Sequence, residues 1–88
     1  MGAYHTNIEL IQHRNPGTPS DWRIRIHHGQ RNIDRESPRI DDDTFAWLAE
    51  ADFFAAFEER VGKTDWADFW RRMPAEARGE IFQMAQEV

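Results

Sequence analysis

The hydrophobic pattern of this chain changes once, near residue 41, from the alternation of a β-strand to the three-to-four-residue spacing of an α-helix. Between Trp22 and His27, apolar residues alternate with basic ones, and Ile8 and Leu10 alternate with polar neighbours in the same way. The segment between them, residues 15–21, is rich in Pro, Gly, Ser and Asp, which is typical of a turn. These features predict an N-terminal antiparallel β-hairpin, and Pro38 confines any third strand to a sheet edge.

The C-terminal half has the spacing of amphipathic helices. Asp41 and its acidic neighbours favour a helix start, because carboxylates cap the first turn and suit the positive end of the helix dipole. Residues 45–61 are apolar on more than one side, so either one helix packs between two layers or Asp52 starts a second short helix. Further boundaries are predicted at Gly62, at Thr64 or Asp65, and at Pro74. The 88 residues therefore predict one α+β domain, in which the hairpin and its edge strand pack against three or four helices.

Charge divides the chain at the same point. Residues 1–40 carry six basic and four acidic side chains, whereas residues 41–88 carry five basic and twelve acidic ones, for a formal net charge of −5. A net negative protein repels phosphate backbones at long range and is attracted to basic surfaces. The balance therefore favours a protein partner with a basic surface, such as a nucleic-acid-binding complex, over direct nucleic-acid binding.

The chain offers few groups for catalysis or metal binding. It has no cysteine, and its two serines, Ser20 and Ser37, stand beside prolines outside any nucleophile motif. The histidines match no zinc spacing, and three consecutive aspartates at 41–43 diverge rather than converge on a cation. We therefore expect no enzymatic activity, no metal and no cofactor. The four histidines are His5, His13, His27 and His28.

Aromatic residues give the strongest functional indication. Nine of the eleven lie within residues 45–82, and each large ring has about 150–250 Å² to bury. We expect six or seven to be interior and two or three to lie at a partner surface, most simply among Phe53, Phe57, Trp66 and Trp70, although a core containing all nine is the alternative. With the neighbouring acids, the predicted partner-binding residues are Phe53, Phe57, Glu58, Glu59, Asp65, Trp66, Asp68 and Trp70.

Two functions fit these features. The first is a small non-enzymatic inhibitor or regulator that docks its acidic, aromatic-anchored helical surface on a basic partner site. Small size, acidity and the lack of catalytic motifs are shared in type, without a common motif, with phage-encoded inhibitors of host defence such as anti-CRISPR proteins and with bacterial immunity proteins. The alternative is a nucleic-acid-binding or regulatory domain that uses the basic face of the hairpin, formed by Arg14, Arg23, Arg25 and His27.

Association state and location follow as weaker expectations. A homodimer through the side carrying Phe53 and Phe57 accounts for apolar residues on two faces of one helical segment. No apolar run is long enough for a membrane span or a signal-peptide core, so a cytoplasmic protein is expected, in the host cell if a phage encodes it.

Overall fold

The computed structural model describes residues 6–14, 16–17, 21–28 and 35–88, and these residues confirm the predicted α+β arrangement. An antiparallel sheet precedes four helices along the chain. The strands are β1 (Thr6–His13), β2 (Asp21–His28), β3 (Arg35–Glu36) and β4 (Ile40–Asp41). The helices are α1 (Asp42–Ala49), α2 (Phe54–Val61), α3 (Ala67–Arg71) and α4 (Ala75–Glu87).

The sheet is built on the predicted hairpin. Strands β1 and β2 pair along their whole length, with Leu10 opposite Ile24 and Ile8 opposite Ile26. These four side chains share the face that packs on the helices, where both β2 isoleucines are buried. Strands β3 and β4 both pair with β2, so the edge strand indicated by the Ser37-Pro38 pair is present and a second one, not predicted, follows it.

The helical half divides into short elements. The Asp41 carboxylate accepts the Thr44 backbone N–H at 2.7 Å, which is the capping role expected of this acidic run. Residues 45–61 form two helices rather than one, as in the second of the two alternatives. The break differs in detail, because α2 begins at Phe54 instead of Asp52. Ala51 is 2% exposed and holds the chain between α1 and α2 against the core.

The last helix packs against strand β1 as well as against α1 and α2. Pro74 is the N-cap residue of α4, and the first helical residue is the next one, Ala75. Ala77, Ile81 and Ala85 are buried on one stripe, as their spacing predicts, whereas Val88 is 70% exposed because the helix ends before it. Within the described residues, no helix has the length and apolar character needed to cross a membrane.

Candidate functional site

Three of the four predicted surface aromatics belong to the core. Phe57, Trp66 and Trp70 are 1%, 2% and 3% exposed, so the expectation that these rings lie at the surface is wrong. The ring of Phe57 lies 5.4 Å from the rings of both Trp70 and Phe82. Phe57 on α2 therefore contacts one ring of α3 and one ring of α4 inside the core.

The number of exposed rings in the helical half nevertheless agrees with the expectation of two or three. Phe53 is 60% exposed, as predicted, and Trp47, which was not predicted, is 37% exposed. Trp47 lies on the outer side of α1, because Phe45 and Leu48 take the side that meets the core. The guanidinium of Arg60 lies 5.3 Å from the centre of the Trp47 ring, and its Nη1 donates to the Trp47 carbonyl.

Phe53 stands at the end of a short acidic turn between α1 and α2. We name the exposed residues Glu50, Asp52 and Phe53 the α1–α2 corner. Neither acid forms an ion pair with any described residue. Sequence reasoning missed both acids, although their position on either side of the predicted helix break was the available signal.

Backbone contacts hold this corner in place. The Glu50 N–H donates to the carbonyls of the last turn of α1, and the Gln86 side-chain amide donates to the Ala49 carbonyl at 3.0 Å. The second of these bonds ties the end of α4 to the end of α1. The corner is therefore a defined surface feature and not a loose loop.

The predicted acidic residues divide into paired and unpaired groups. Glu58 accepts hydrogen bonds from Arg78 and, at 3.0 Å, from the Trp70 indole, so it joins α2 to α3 and α4 as a structural residue. Asp68 pairs with Arg71 at 2.8 Å on the exposed side of α3. Glu59 and Asp65 are exposed and have no ion pair among the described residues.

The basic face of the hairpin is largely neutralised by its neighbours. Glu36 lies 2.6 Å from Arg25 and 3.6 Å from Arg23, and Glu9 lies 2.9 Å from His27. The side-chain hydrogen bond from Arg25 holds the pKa of the Glu36 carboxyl below its usual range, so this acid is charged at neutral pH. The fourth residue of that face, Arg14, is exposed just after β1.

The histidines are not gathered into a metal site in the described part of the chain. No group of three or more acidic or histidine side chains there could hold a metal ion. Among the described carboxylates, the one that His27 pairs with is Glu9, and His13 lies at the far end of β1. His5 and the side chain of His28 lie outside the described residues.

No protein-family model, curated protein or solved structure matches this chain.

Proposed function

We propose that this chain is a small non-enzymatic protein-binding module that docks its α1–α2 corner onto a basic site of a partner protein. The observation that carries this proposal is Phe53, a phenylalanine 60% exposed beside the carboxylates of Glu50 and Asp52, which form no ion pair within the described part of the chain. An aromatic ring that becomes buried on binding supplies affinity, and charge around it selects a partner of opposite sign.

The position of Phe53 in its helix supports a binding role. It is the N-cap of α2 and makes no side-chain hydrogen bond to the first turn. Ser, Thr, Asp or Asn at such a position stabilises a helix by about 1 kcal/mol relative to a residue that cannot cap. The chain thus has a large apolar residue where a small polar one is better for folding, and contact with a partner explains that choice.

The wider charge of the helical half supports the choice of a basic partner. Exposed acids that pair with no described cation extend over α2, the turn before α3, and α4, so a positively charged partner is attracted before contact. A module of this kind acts by occupying its partner's site, as an inhibitor or regulator does, and we place that action in the cytoplasm. The exposed acids that contribute, besides those of the corner, are Glu59, Asp65, Glu76, Glu80 and Glu87.

Binding by corner variants tests this proposal. The wild-type chain is used to capture proteins from its cell of origin, and each captured protein is purified and titrated against variants by calorimetry. We expect Phe53→Ser, and separately the pair Glu50→Lys and Asp52→Lys, to weaken binding of the true partner by at least about tenfold. Phe53→Ser should change the free energy of unfolding by less than about 1 kcal/mol, since the new cap offsets the lost contact of the ring.

Two controls make the result decisive. The pair Glu76→Lys and Glu80→Lys changes the net charge equally but lies on α4, away from the corner in sequence, and should reduce affinity far less. Phe53→Tyr keeps the ring and should retain binding. A partner that binds Phe53→Ser as tightly as wild type refutes the proposal. So does a purified chain that shifts a DNA or RNA probe at low salt and loses that shift on Arg23→Gln with Arg25→Gln, which indicates the hairpin alternative instead.

A further inference from the structure

Strand β1 has an edge that carries no strand in the described part of the chain. Its eight residues, Thr6–His13, pair with β2 on one side, and no described strand pairs with the other side. Nor does β1 make a backbone hydrogen bond to any described residue outside that ladder. An edge of this kind presents a row of N–H and carbonyl groups at the spacing of an extended chain. The chemistry of the edge therefore fits another β-strand.

The sequence of β1 does not protect this edge. Natural sheets protect exposed edges with short strands, prolines or lysines. The other side of β2 follows this rule, because β3 and β4 have two residues each and Pro38 lies between them. Strand β1 is long, contains neither proline nor lysine, and has one carboxylate, that of Glu9. The difference between the two sides favours pairing at β1.

Two half-buried apolar side chains lie at the middle of β1, one on each face of the sheet. Leu10 is on the inner face, where it lines an open groove with Met84 and Val88. Ile11 is on the outer face, opposite Arg23 and among the charged side chains of the hairpin. A strand paired with the β1 edge covers the exposed part of both, since side chains on one face of a sheet are in contact across neighbouring strands.

Charge allows a second copy of the chain to supply that strand. Residues 1–40 carry six basic and four acidic side chains, so the acidic excess lies in residues 41–88. Two copies therefore meet at their sheets without the repulsion that their helical halves would impose. A two-fold axis perpendicular to the sheet pairs β1 antiparallel with its own copy and keeps both inner faces on the same side.

The side chains of β1 select the register of such a pair. Directly opposite residues in an antiparallel pair share a face, so the two-fold axis passes between a residue and its own copy. An axis at Glu9 opposes two carboxylates, which is destabilising. An axis at Ile11 opposes two isoleucines and places each Glu9 opposite His13 of the second copy. The Glu9 side chain is 48% exposed and contacts His27 through one oxygen, so acceptor capacity remains for a second imidazole.

We propose that this chain forms a homodimer in which the β1 edges of two copies pair antiparallel about Ile11, joining the two four-stranded sheets into one. This interface differs from the dimer that the sequence suggests through the side carrying Phe53 and Phe57. None of the three corner residues lies on β1, so the inference does not depend on the docking proposal.

Sedimentation equilibrium tests the inference on the intact chain, whose monomer mass is 10.4 kDa. Between about 1 and about 500 µM chain, we expect the mean mass to rise from that of the monomer to that of the dimer, with a Kd of about 100 µM or tighter. Hydrogen exchange of the backbone amides, measured by mass spectrometry at both concentrations, should slow across β1 in the dimer.

Charged residues at the two-fold axis test whether the strand comes from a second copy. Ile11→Lys and Ile11→Glu each place like charges opposite each other, so each variant alone should dimerise at least about fivefold more weakly than wild type. Mixed in equal amounts, the two should form a heterodimer at least about fivefold tighter than either homodimer, because opposite charges then face each other. That recovery also shows that neither variant lost dimerisation through misfolding.

Two controls separate the β1 edge from the rest of the surface. Gln83→Lys adds the same charge as Ile11→Lys at an exposed position of α4 and should leave the Kd of the dimer unchanged. Phe53→Ser removes the exposed ring of the corner and should also leave it unchanged.

Several outcomes overturn the inference. A mass that stays monomeric up to about 500 µM does so, as does a mixture of the two Ile11 variants that associates no more tightly than each alone. A dimer that Ile11→Lys leaves intact and Phe53→Ser removes forms through the corner instead. Equal protection of the β1 amides in the dilute monomer and at high concentration also overturns it, because the chain itself then covers the edge.

Discussion

Ser37 shows how one small residue connects the two edge strands to the sheet. It is 2% exposed, its hydroxyl accepts the Ile24 N–H at 3.0 Å and donates to the Pro38 carbonyl at 2.9 Å, and its own N–H donates to the Ile24 carbonyl at 2.9 Å. These bonds pair the backbone N–H and carbonyl of Ile24 on β2, a residue that lies between the parts of β2 paired with β3 and with β4. Sequence reasoning placed this serine beside a proline in a loop and gave it no structural role.

Ser37→Ala should therefore destabilise the fold more than its size suggests. The change leaves the buried Ile24 N–H without its acceptor, so we expect a loss of about 1–3 kcal/mol in the free energy of unfolding, measured by urea denaturation. Gln83→Ala, an exposed change on α4, should stay within about 0.5 kcal/mol. A loss as small as that of the control would show that the hydroxyl is not needed there.

At the scale of elements, one aromatic pair joins the sheet to the helical layer. The rings of Trp22 on β2 and Phe45 on α1 are stacked, with 4.0 Å between centres and 7° between planes. The Trp22 indole N–H donates to the Asp42 carboxylate at 2.9 Å, beside the cap that starts α1. Strand β2 thus fixes both the position and the first turn of the helix.

A double-mutant cycle on Trp22→Leu and Phe45→Leu measures the interaction free energy between these two rings. We expect a coupling of about 0.5–1.5 kcal/mol beyond the sum of the single effects, because the rings interact in excess of their burial. The lost bond to Asp42 is common to both variants lacking Trp22 and cancels. The cycle pairing Trp22→Leu with Phe69→Leu should give a coupling near zero, and a near-zero value for Phe45 as well would exclude a specific stacking contribution.

The elements themselves could be predicted from the sequence, because each depends on local pattern. Alternation fixed the apolar face of β2, and apolar residues on two sides of residues 45–61 indicated the break between α1 and α2. Which rings stay exposed could not be predicted in the same way, since the rotation of a two-turn helix is set by its tertiary neighbours. Phe57 is buried by Phe82, and Glu58 is bonded to Arg78, 20 residues further along the chain.

At the scale of the whole molecule, the ion-paired charges lie mainly on the sheet and the exposed acids lie mainly on the helices. On the outer face of the sheet, Arg23, Arg25 and His27 meet carboxylates across the strands. In the helical half most acids are exposed and form no ion pair with another described residue, so the net charge of −5 is carried mainly by that side. The surface available to a basic partner is thus a product of the fold as well as of composition, and the α1–α2 corner lies within it.

Two carboxyls whose pKa values are lowered in the folded state make the stability of the protein depend on pH. Glu36 and Asp41 have folded-state pKa values below their ordinary values of 4.5 and 3.8, the first chiefly through a hydrogen bond from Arg25 and the second through the Thr44 N–H. A carboxyl whose pKa is lowered by folding stabilises the fold above its unfolded pKa, and that contribution is lost as pH falls through the folded value.

The double variant Glu36→Gln with Asp41→Asn should therefore be less stable than wild type at about pH 7, and the two unfolding free energies should converge as pH falls below 3.8. Urea denaturation across this range, followed by tryptophan fluorescence, measures the difference. Glu76→Gln, which removes an exposed acid with no ion pair among the described residues, should run parallel to wild type. A gap that stays constant into acid would mean that the two carboxylates contribute through packing rather than through charge, because protonation would then leave their contribution intact.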